Sequence, residues 1–359
     1  MTLSLSILLT LKTEFHMDDP INSKAVPTLA DVARAANVST ATVSRCLNSP
    51  NQVVSETRER VLKAVAELGY APNFSAQALA AKQTNTIGAI IPTMENAVFA
   101  RGIQAFQEEL GRHGKTLLIA SSAYNETLED EQIRTLAARG ADALLLIGYH
   151  RSKKIYEFLN KRSIPTLVAW SFDPDQEQPA IGFDNVNAMA ALTRLVIRHG
   201  HRKIACISAP IESNDRARGR VEGIRLAMAE VGMKADDLML TQTPYGIANG
   251  EAAFREILAA APDTTAVMCV NDVLAIGALR AAKEMGLRVP DDISVTGFDD
   301  IEIALLADPA LTTVHVPHRE MGRRAASMLI QMVKQREYCE SVELSTDIRI
   351  RRSLGPLSV

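Results

Sequence analysis

Residues 28–48 read Thr-Leu-Ala-Asp-Val-Ala-Arg-Ala-Ala-Asn-Val-Ser-Thr-Ala-Thr-Val-Ser-Arg-Cys-Leu-Asn, and their spacing decides what the N-terminal part of the chain is. Thr28 and Asp31 stand three apart ahead of an apolar series, a helix-start pattern. Leu29, Val32, Ala33 and Ala36 follow at i, i+3, i+4 and i+7, which puts one apolar stripe on a short helix. Asn37 ends it, because asparagine tolerates the left-handed backbone of such a turn. Ser39 caps a second helix, with Val38 and Val43 spaced to form a hydrophobic staple across the cap. A third helix is predicted from about Glu56 to Leu68, apolar at Val61, Val65 and Leu68 and stopped by Gly69. Two short helices joined by a three-residue turn, with a third completing the core, make a helix-turn-helix.

The second helix has the chemistry of a groove reader. Short polar side chains near its N-terminus let the backbone approach DNA, and one long donor can reach a base edge or a phosphate. Thr40, Thr42, Ser44 and Arg45 supply these groups. By pattern alone, a three-helix bundle whose polar face meets only water fits as well.

Outward from this head, 359 residues suggest two or three domains. A hydrophobic fraction of 47% with 23% charged residues excludes a disordered or fibrous chain. The net charge of −3 hides a split: residues 27–83 hold six Lys/Arg against four Asp/Glu, so a slightly basic head precedes an acidic body. Cys46, Cys206, Cys269 and Cys339 are far apart, without a C-x-x-C pair, and His199 and His201 have no cysteine at metal-ligand spacing. Reduced thiols, a cytoplasmic location and no metal are expected. No apolar run approaches the ~18 residues of a membrane span. The opening residues 1–11 are apolar, but no basic residue precedes them and no small-x-small cleavage site follows, so Met17 reads as an alternative start.

After the polar linker 83–86, apolar runs alternate with amphipathic stretches. The runs are 87–91, 116–120, 143–147, 166–169, 204–207, 266–270 and 293–297, and the helical stretches include 99–112, 188–199, 220–231 and 273–285. Strands buried on both faces and alternating with helices predict doubly wound parallel sheets, too many strands for one sheet, hence two subdomains. Ligands in such sheets bind beyond the carboxyl ends of the strands. The residues that follow the runs suit a polyhydroxylated ligand: Asn96, Val98 and Phe99; Trp170, the only tryptophan; Asp215, Arg216, Arg218 and Arg220; Asn271 and Asp272; Asp299 and Asp300. Arg216, Arg218 and Arg220 recur at every second position. An extended or turning segment would aim Arg216 and Arg220 into the cleft; alternatively, only Arg220 touches ligand. Residues 87–93 are neither G-x-G-x-x-G nor a P-loop, and G-x-S-x-G and H-E-x-x-H do not occur. No catalytic residue and no cofactor are therefore expected.

The run 28–48, continued by Thr57-Arg58-Glu59-Arg60-Val61, Leu68-Gly69-Tyr70-Ala71-Pro72-Asn73 and Ala76-Gln77-Ala78-Leu79-Ala80, resembles the head of the LacI (lactose repressor) family of bacterial transcription regulators. The body resembles the same family at Gly182-Phe183-Asp184-Asn185, Gly200-His201-Arg202-Lys203-Ile204, Arg220-x-x-Gly223, Val270-Asn271-Asp272, Gly297-Phe298-Asp299-Asp300 and Leu311-Thr312-Thr313-Val314.

The resemblance implies an all-α helix-turn-helix head on a periplasmic-binding-protein-like α/β body of two doubly wound subdomains. The expected divisions are an extension at 1–26, the DNA-binding domain at 27–72, a hinge helix and linker at 73–86, and the effector-binding and dimerisation body at 87–359. Within the body, one subdomain takes about 87–184 and 314–335, the other about 185–313 and 336–359. Thr28, Ser39, Thr42, Ser44 and Asn48 would hold phosphates or line the groove, and Thr40, Ala41 and Arg45 would face bases. In the hinge, with Asn73 and Ala76, Leu79 would wedge open a central base step in the minor groove.

Arg220, Asn271 and Asp299 would hold an effector, with Asn96, Val98, Phe99, Trp170, Arg216 and Tyr245 on the pocket wall; Trp170 replaces an Asp common there. The implied protein is a regulator, most simply a repressor. As a homodimer it binds a palindromic DNA operator with a central C-G step, under control of a sugar or sugar acid. The chain's last residues carry no leucine heptads for a tetramer. A periplasmic sugar-binding protein would share the body but not residues 27–83.

Overall fold

The computed structural model describes residues 26–71, 83–95, 97–335 and 339–357. They fall into two units, divided between Ala80 and Ala81.

The head holds α1 (Leu29–Ala36), α2 (Thr40–Asn48) and α3 (Ser55–Leu68). Thr28 and Asp31 form a reciprocal capping box: the Thr28 hydroxyl accepts from the Asp31 amide at 3.3 Å, and the Asp31 carboxylate accepts from the Thr28 amide at 2.9 Å. Asn37 stops α1 at φ 53, ψ 50, and the Ser39 hydroxyl accepts from the Thr42 amide at 3.2 Å to start α2. Val32, Ala33, Ala36, Val43, Cys46, Val61 and Ala64 form the core, so Cys46 is a packing residue. Leu68 is 37% exposed, contrary to its expected place on the apolar stripe. The interior side of α3 runs through Val61, Ala64 and Val65, and Leu68 lies beyond it, next to the left-handed Gly69.

In the body, the first sheet is ordered β11-β5-β4-β3-β1-β2 and the second β12-β10-β9-β8-β6-β7. The first comprises β1 (Thr86–Ile91), β2 (Thr116–Ser121), β3 (Ala143–Ile147), β4 (Thr166–Ala169), β5 (Ala180–Gly182) and β11 (Val342–Glu343). The second comprises β6 (Ile204–Ser208), β7 (Met239–Gln242), β8 (Ala266–Cys269), β9 (Ser294–Asp299), β10 (Thr312–His315) and β12 (Asp347–Arg349). The strands pair in parallel except β10 with β12. Helices α4 (Ala97–Arg112), α5 (Glu126–Ala138), α6 (Lys153–Lys161) and α12 (His318–Gln335) belong to the first subdomain. Helices α7 (Asn185–Arg198), α8 (Asp215–Ala229), α9 (Ile247–Ala260), α10 (Asp272–Glu284) and α11 (Glu302–Leu306) belong to the second.

Two expectations need correction. Burial on both faces holds for β1, β3, β6, β8 and β9, but β2 is half-exposed because it is the edge of its sheet. The division of the body also shifts. β10 lies wholly in the second sheet, so the chain crosses back after His315, and β11 returns to the first sheet before β12 rejoins the second. The chain therefore passes between subdomains at 183–184, 316–317 and 344–346.

Candidate nucleic-acid interface and ligand cleft

On the head, burying Val43 and Cys46 turns the rest of α2 outward. Thr28, Ser39, Thr40, Ala41, Arg45 and Asn48 are exposed, and Thr42 and Ser44 are half-buried. The hydroxyls of Ser39 and Thr42 lie 2.9 Å apart, and Asn48 donates to Ser44 Oγ at 3.2 Å, so several of these groups hold one another in place. No acidic residue occurs in α2, whose N-terminal dipole therefore faces no carboxylate of its own helix. Asn73, Ala76 and Leu79 in the hinge, and Asn96 in the body, lie outside the described residues.

In the body, Val98, Phe99, Trp170, Arg216, Arg220, Tyr245, Asn271 and Asp299 line one chamber, together with Tyr124. Each comes from the carboxyl end of a strand, from just beyond it, or from the helix that follows. The chamber encloses about 20 Å³, roughly the room of one water.

The arginines reach it differently from expectation. Helix α8 begins at Asp215, so 215–220 is neither extended nor a turn, and a four-residue spacing puts Arg216 and Arg220 on one face. Both are buried, at 8% and 4% exposure, while Arg218 points elsewhere and donates to the Ile211 carbonyl at 3.1 Å.

Arg220 is held on three sides. Nε donates to Asn185 Oδ1 at 2.9 Å, Nη1 to the Val270 carbonyl at 2.6 Å, and Nη2 to Asp299 Oδ1 at 3.4 Å. Its guanidinium lies 3.7 Å over the Phe298 ring. Burial pushes the Asp299 carboxyl up to about 6 in spite of the Arg220 charge beside it.

Arg216 and Asp215 grip the other subdomain. Arg216 donates to the Ile147 carbonyl at 3.0 Å, and Asp215 accepts from the Tyr149 amide at 2.7 Å. Between them Gly148 sits at φ 70, and a Cβ there would overlap both side chains.

Trp170 is 1% exposed, with φ 62. Its Nε1 donates to His318 Nδ1 at 3.0 Å, and Phe99 packs edge-on at 5.3 Å. It gives the chamber a ring face rather than the acceptor an Asp would give. Asn271 Oδ1 accepts from the Leu274 amide at 2.9 Å and caps α10. Beside it, Asp272 is fully buried and accepts from Thr313 Oγ1 at 2.6 Å and the Ile301 amide at 2.8 Å. Burial holds its carboxyl well above the usual range.

Sequence reasoning missed Tyr124. Ala123 and Tyr124 are consecutive non-glycine residues at φ 49 and φ 58, a strained turn that sets the Tyr124 ring 5.4 Å from Tyr245 across the cleft. The two tyrosines line both the chamber and an outer hollow of about 770 Å³ bounded by Thr93, Met94, Ser213, Asn214 and Pro244. Tyr124 follows the run 116–120 just as the other wall residues follow theirs, so the signal was present. His318 and Asn185 were missed as site residues too, because the strands before them, β10 and β5, do not stand out as apolar runs in the sequence. Among the described residues there is no group of three or more His, Cys, Asp or Glu placed to hold a metal ion, and no helix long and apolar enough to cross a membrane.

A helix-turn-helix unit followed by a two-sheet body with a polar, aromatic-walled cleft defines a class: DNA-binding regulators built on a small-molecule-binding scaffold. Comparison with known proteins makes it specific. Residues 28–73 match the family model of bacterial regulatory proteins, lacI family, and residues 84–352 that of periplasmic binding proteins and the sugar binding domain of the LacI family. The transcriptional repressor PurR of Vibrio campbellii is 33% identical over 333 residues, covering 92% of this chain and 99% of that protein. A LacI-family regulator from Silicibacter pomeroyi superposes with a TM-score of 0.83 at 26% identity, over 92% of this chain and 99% of its own. The lac repressor dimer bound to operator and the anti-inducer ONPF gives 0.81 at 26% identity, again over 92% and 99%. The chain belongs to the LacI family and is a DNA-binding transcriptional repressor of that family.

Proposed function

We propose that the protein acts in the cytoplasm as a homodimer on a palindromic operator with a central C-G step, and that a sugar or sugar acid bound in the chamber controls it. The reading assigns Thr40, Ala41 and Arg45 to bases, and Thr28, Ser39, Thr42, Ser44 and Asn48 to phosphates and groove walls. Asn73 and Ala76 belong to the hinge contact, and Leu79 is the minor-groove wedge. One short recognition helix reads few base pairs, which favours a paired head on a two-fold site.

The observation that carries the effector class is the pairing of buried Arg216 and Arg220 on one face of α8, opposite Trp170 and beside Asp299. Two guanidiniums suit a carboxylate, Asp299 suits hydroxyls, and the aromatic rings suit the face of a sugar. An anionic sugar is favoured over a neutral one because no carboxylate stands at position 170.

Calorimetry with D-gluconate, D-glucuronate and D-ribose tests this. At least one sugar acid should bind more tightly than ribose, and Arg216→Ala should reduce that preference. Ribose binding more tightly than both acids would overturn the anionic reading, and no binding of any of the three would remove the sugar class. Domain limits at about 27–72, 73–86 and 87–359, with the crossings placed as above, complete the proposal.

A further inference from the structure

Five residues close a hydrogen-bonded ring behind the cleft. Trp170 Nε1 donates to His318 Nδ1 at 3.0 Å, and His318 Nε2 meets the Asp299 carbonyl at 3.1 Å. The Asp299 carboxylate accepts from Arg220 at 3.4 Å, Arg220 Nε donates to Asn185 at 2.9 Å, and Asn185 Nδ2 returns to the Trp170 carbonyl at 3.2 Å. Every member is at most 5% exposed.

Their places in the chain give the ring its meaning. Trp170 directly follows β4 of the first sheet, while Asp299 and Arg220 belong to the second subdomain. Asn185 and His318 begin α7 and α12, the first helical residues after the crossings at 183–184 and 316–317. The ring thus joins both sheets through both crossing helices. Trp170 and Asp299, on either side of His318, are non-glycine residues at φ 62 and φ 105, a backbone cost that the surrounding contacts must hold in place.

His318 can make both bonds only as the neutral imidazole. Its Nδ1 must keep a lone pair for the indole N–H, which leaves the proton on Nε2 to donate to the Asp299 carbonyl. Burial pushes its pKa down to about 4, in agreement with the neutral form.

We propose that His318 and Asn185 are positioning residues that lock the two subdomains together through Arg220 and Asp299. Arg220, Asp299 and Trp170 are at once ring members and chamber wall. If the chamber takes the effector, as the functional reading above holds, a ligand that draws on Arg220 or Asp299 acts on the subdomain lock itself. Arg216, also on the chamber wall, bridges the subdomains separately through the Ile147 carbonyl and lies outside the ring.

The experiment uses the full chain without ligand, so failure of the sugar reading leaves the ring untouched, and failure of the ring leaves the sugar reading untouched. His318→Phe keeps a flat ring of slightly larger size and deletes both bonds; His318→Gln retains a donor and an acceptor. Trp170 is the chain's one tryptophan, so its emission reports the indole bond directly. Hydrogen exchange is followed at 299–301 and 185–187, with α5 and α9 as references. In His318→Phe, Trp170 emission should shift and exchange at both segments should rise about tenfold, while the reference helices keep their rates. His318→Gln should return at least one of the two signals toward wild type. Unchanged emission and exchange in a folded His318→Phe protein would overturn the proposal. So would an exchange increase that spread equally to α5 and α9, since that reports lost packing. If His318→Phe does not fold, Asn185→Ala is read in the same way at 299–301.

Discussion

Arg220 owes its place to three acceptors around its guanidinium and an aromatic ring 3.7 Å from it. A lysine has neither the fork nor the flat face. Arg220→Lys should therefore behave as Arg220→Ala does, losing the response to effector while operator binding persists. Operator titrations with and without the effector check this, and a normal response in the lysine variant would remove Arg220 from the cleft's function. His318 and Asp299 give a pH signature of opposed signs. With its folded pKa at about 4, His318 refuses a proton that the unfolded chain accepts near 6.5, so it withdraws stability as the pH falls through that window. The Arg220, His315 and Arg101 charges add to the effect of burial. Asp299, raised to about 6, contributes stability at low pH and loses it as the pH rises through 6. His318→Gln removes the first effect only. Between pH 7 and pH 5 the variant should gain about 2 kcal/mol relative to wild type in urea melts. A parallel change in the two proteins would show that His318 titrates normally.

At the scale of elements, caps and turns position the functional side chains. Deleting the Thr28 hydroxyl removes half of the capping box on α1, and Thr28→Ala should cost about 1 kcal/mol of head stability. Thermal unfolding followed by circular dichroism would register it, and a change confined to DNA affinity would mean that the hydroxyl serves phosphate alone. Gly148→Ala strains a left-handed turn and drives a methyl group into Asp215 and Arg216. It should loosen the grip of α8 on the 147–149 turn, seen as faster exchange at the Tyr149 amide; unaltered exchange there would contradict that role.

The elements also explain what could be read in advance. The head was legible almost residue by residue, because its caps and stripes are local: Thr28, Asn37 and Ser39 act within four positions of themselves. The longer strands were legible as apolar runs, and the chamber wall followed from their carboxyl ends. Helix starts were not. α7 and α8 begin three and five residues before the expected 188 and 220, because polar residues in their first turns interrupt the apolar periodicity. That shift hid the common face of Arg216 and Arg220. β5, β11 and β12 span two or three residues each, too short for any periodicity to show. His318 gains its role from a partner 148 positions away, which no local pattern encodes.

For the whole molecule, the chamber's size is the governing constraint. About 20 Å³ is far below the roughly 300 Å³ at which ligand pockets begin. On the proposed reading, a sugar lodged between Arg220 and Trp170 needs more room than this, which couples its binding to a parting of the subdomains or an opening of the Tyr124–Tyr245 pair. Such coupling between effector and operator has a usual scale of about 1–3 kcal/mol, and operator must alter effector affinity by the same factor. Leu79→Ala should weaken specific binding while sparing much of the salt-sensitive non-specific binding; equal loss on both would make Leu79 a packing residue. Light scattering at micromolar concentration should find a dimer, and a stable monomer or tetramer would contradict the paired-head reading. The central claim is that this repressor reads a two-fold DNA site with paired heads. The most direct test is selection of bound duplexes from a random 20-base-pair pool by the purified full-length chain, followed by sequencing. The account predicts enrichment of an A/T-flanked palindrome with a central C-G step, lost in Arg45→Ala. Enrichment of single, unpaired half-sites, or no enrichment over the input pool, would contradict it.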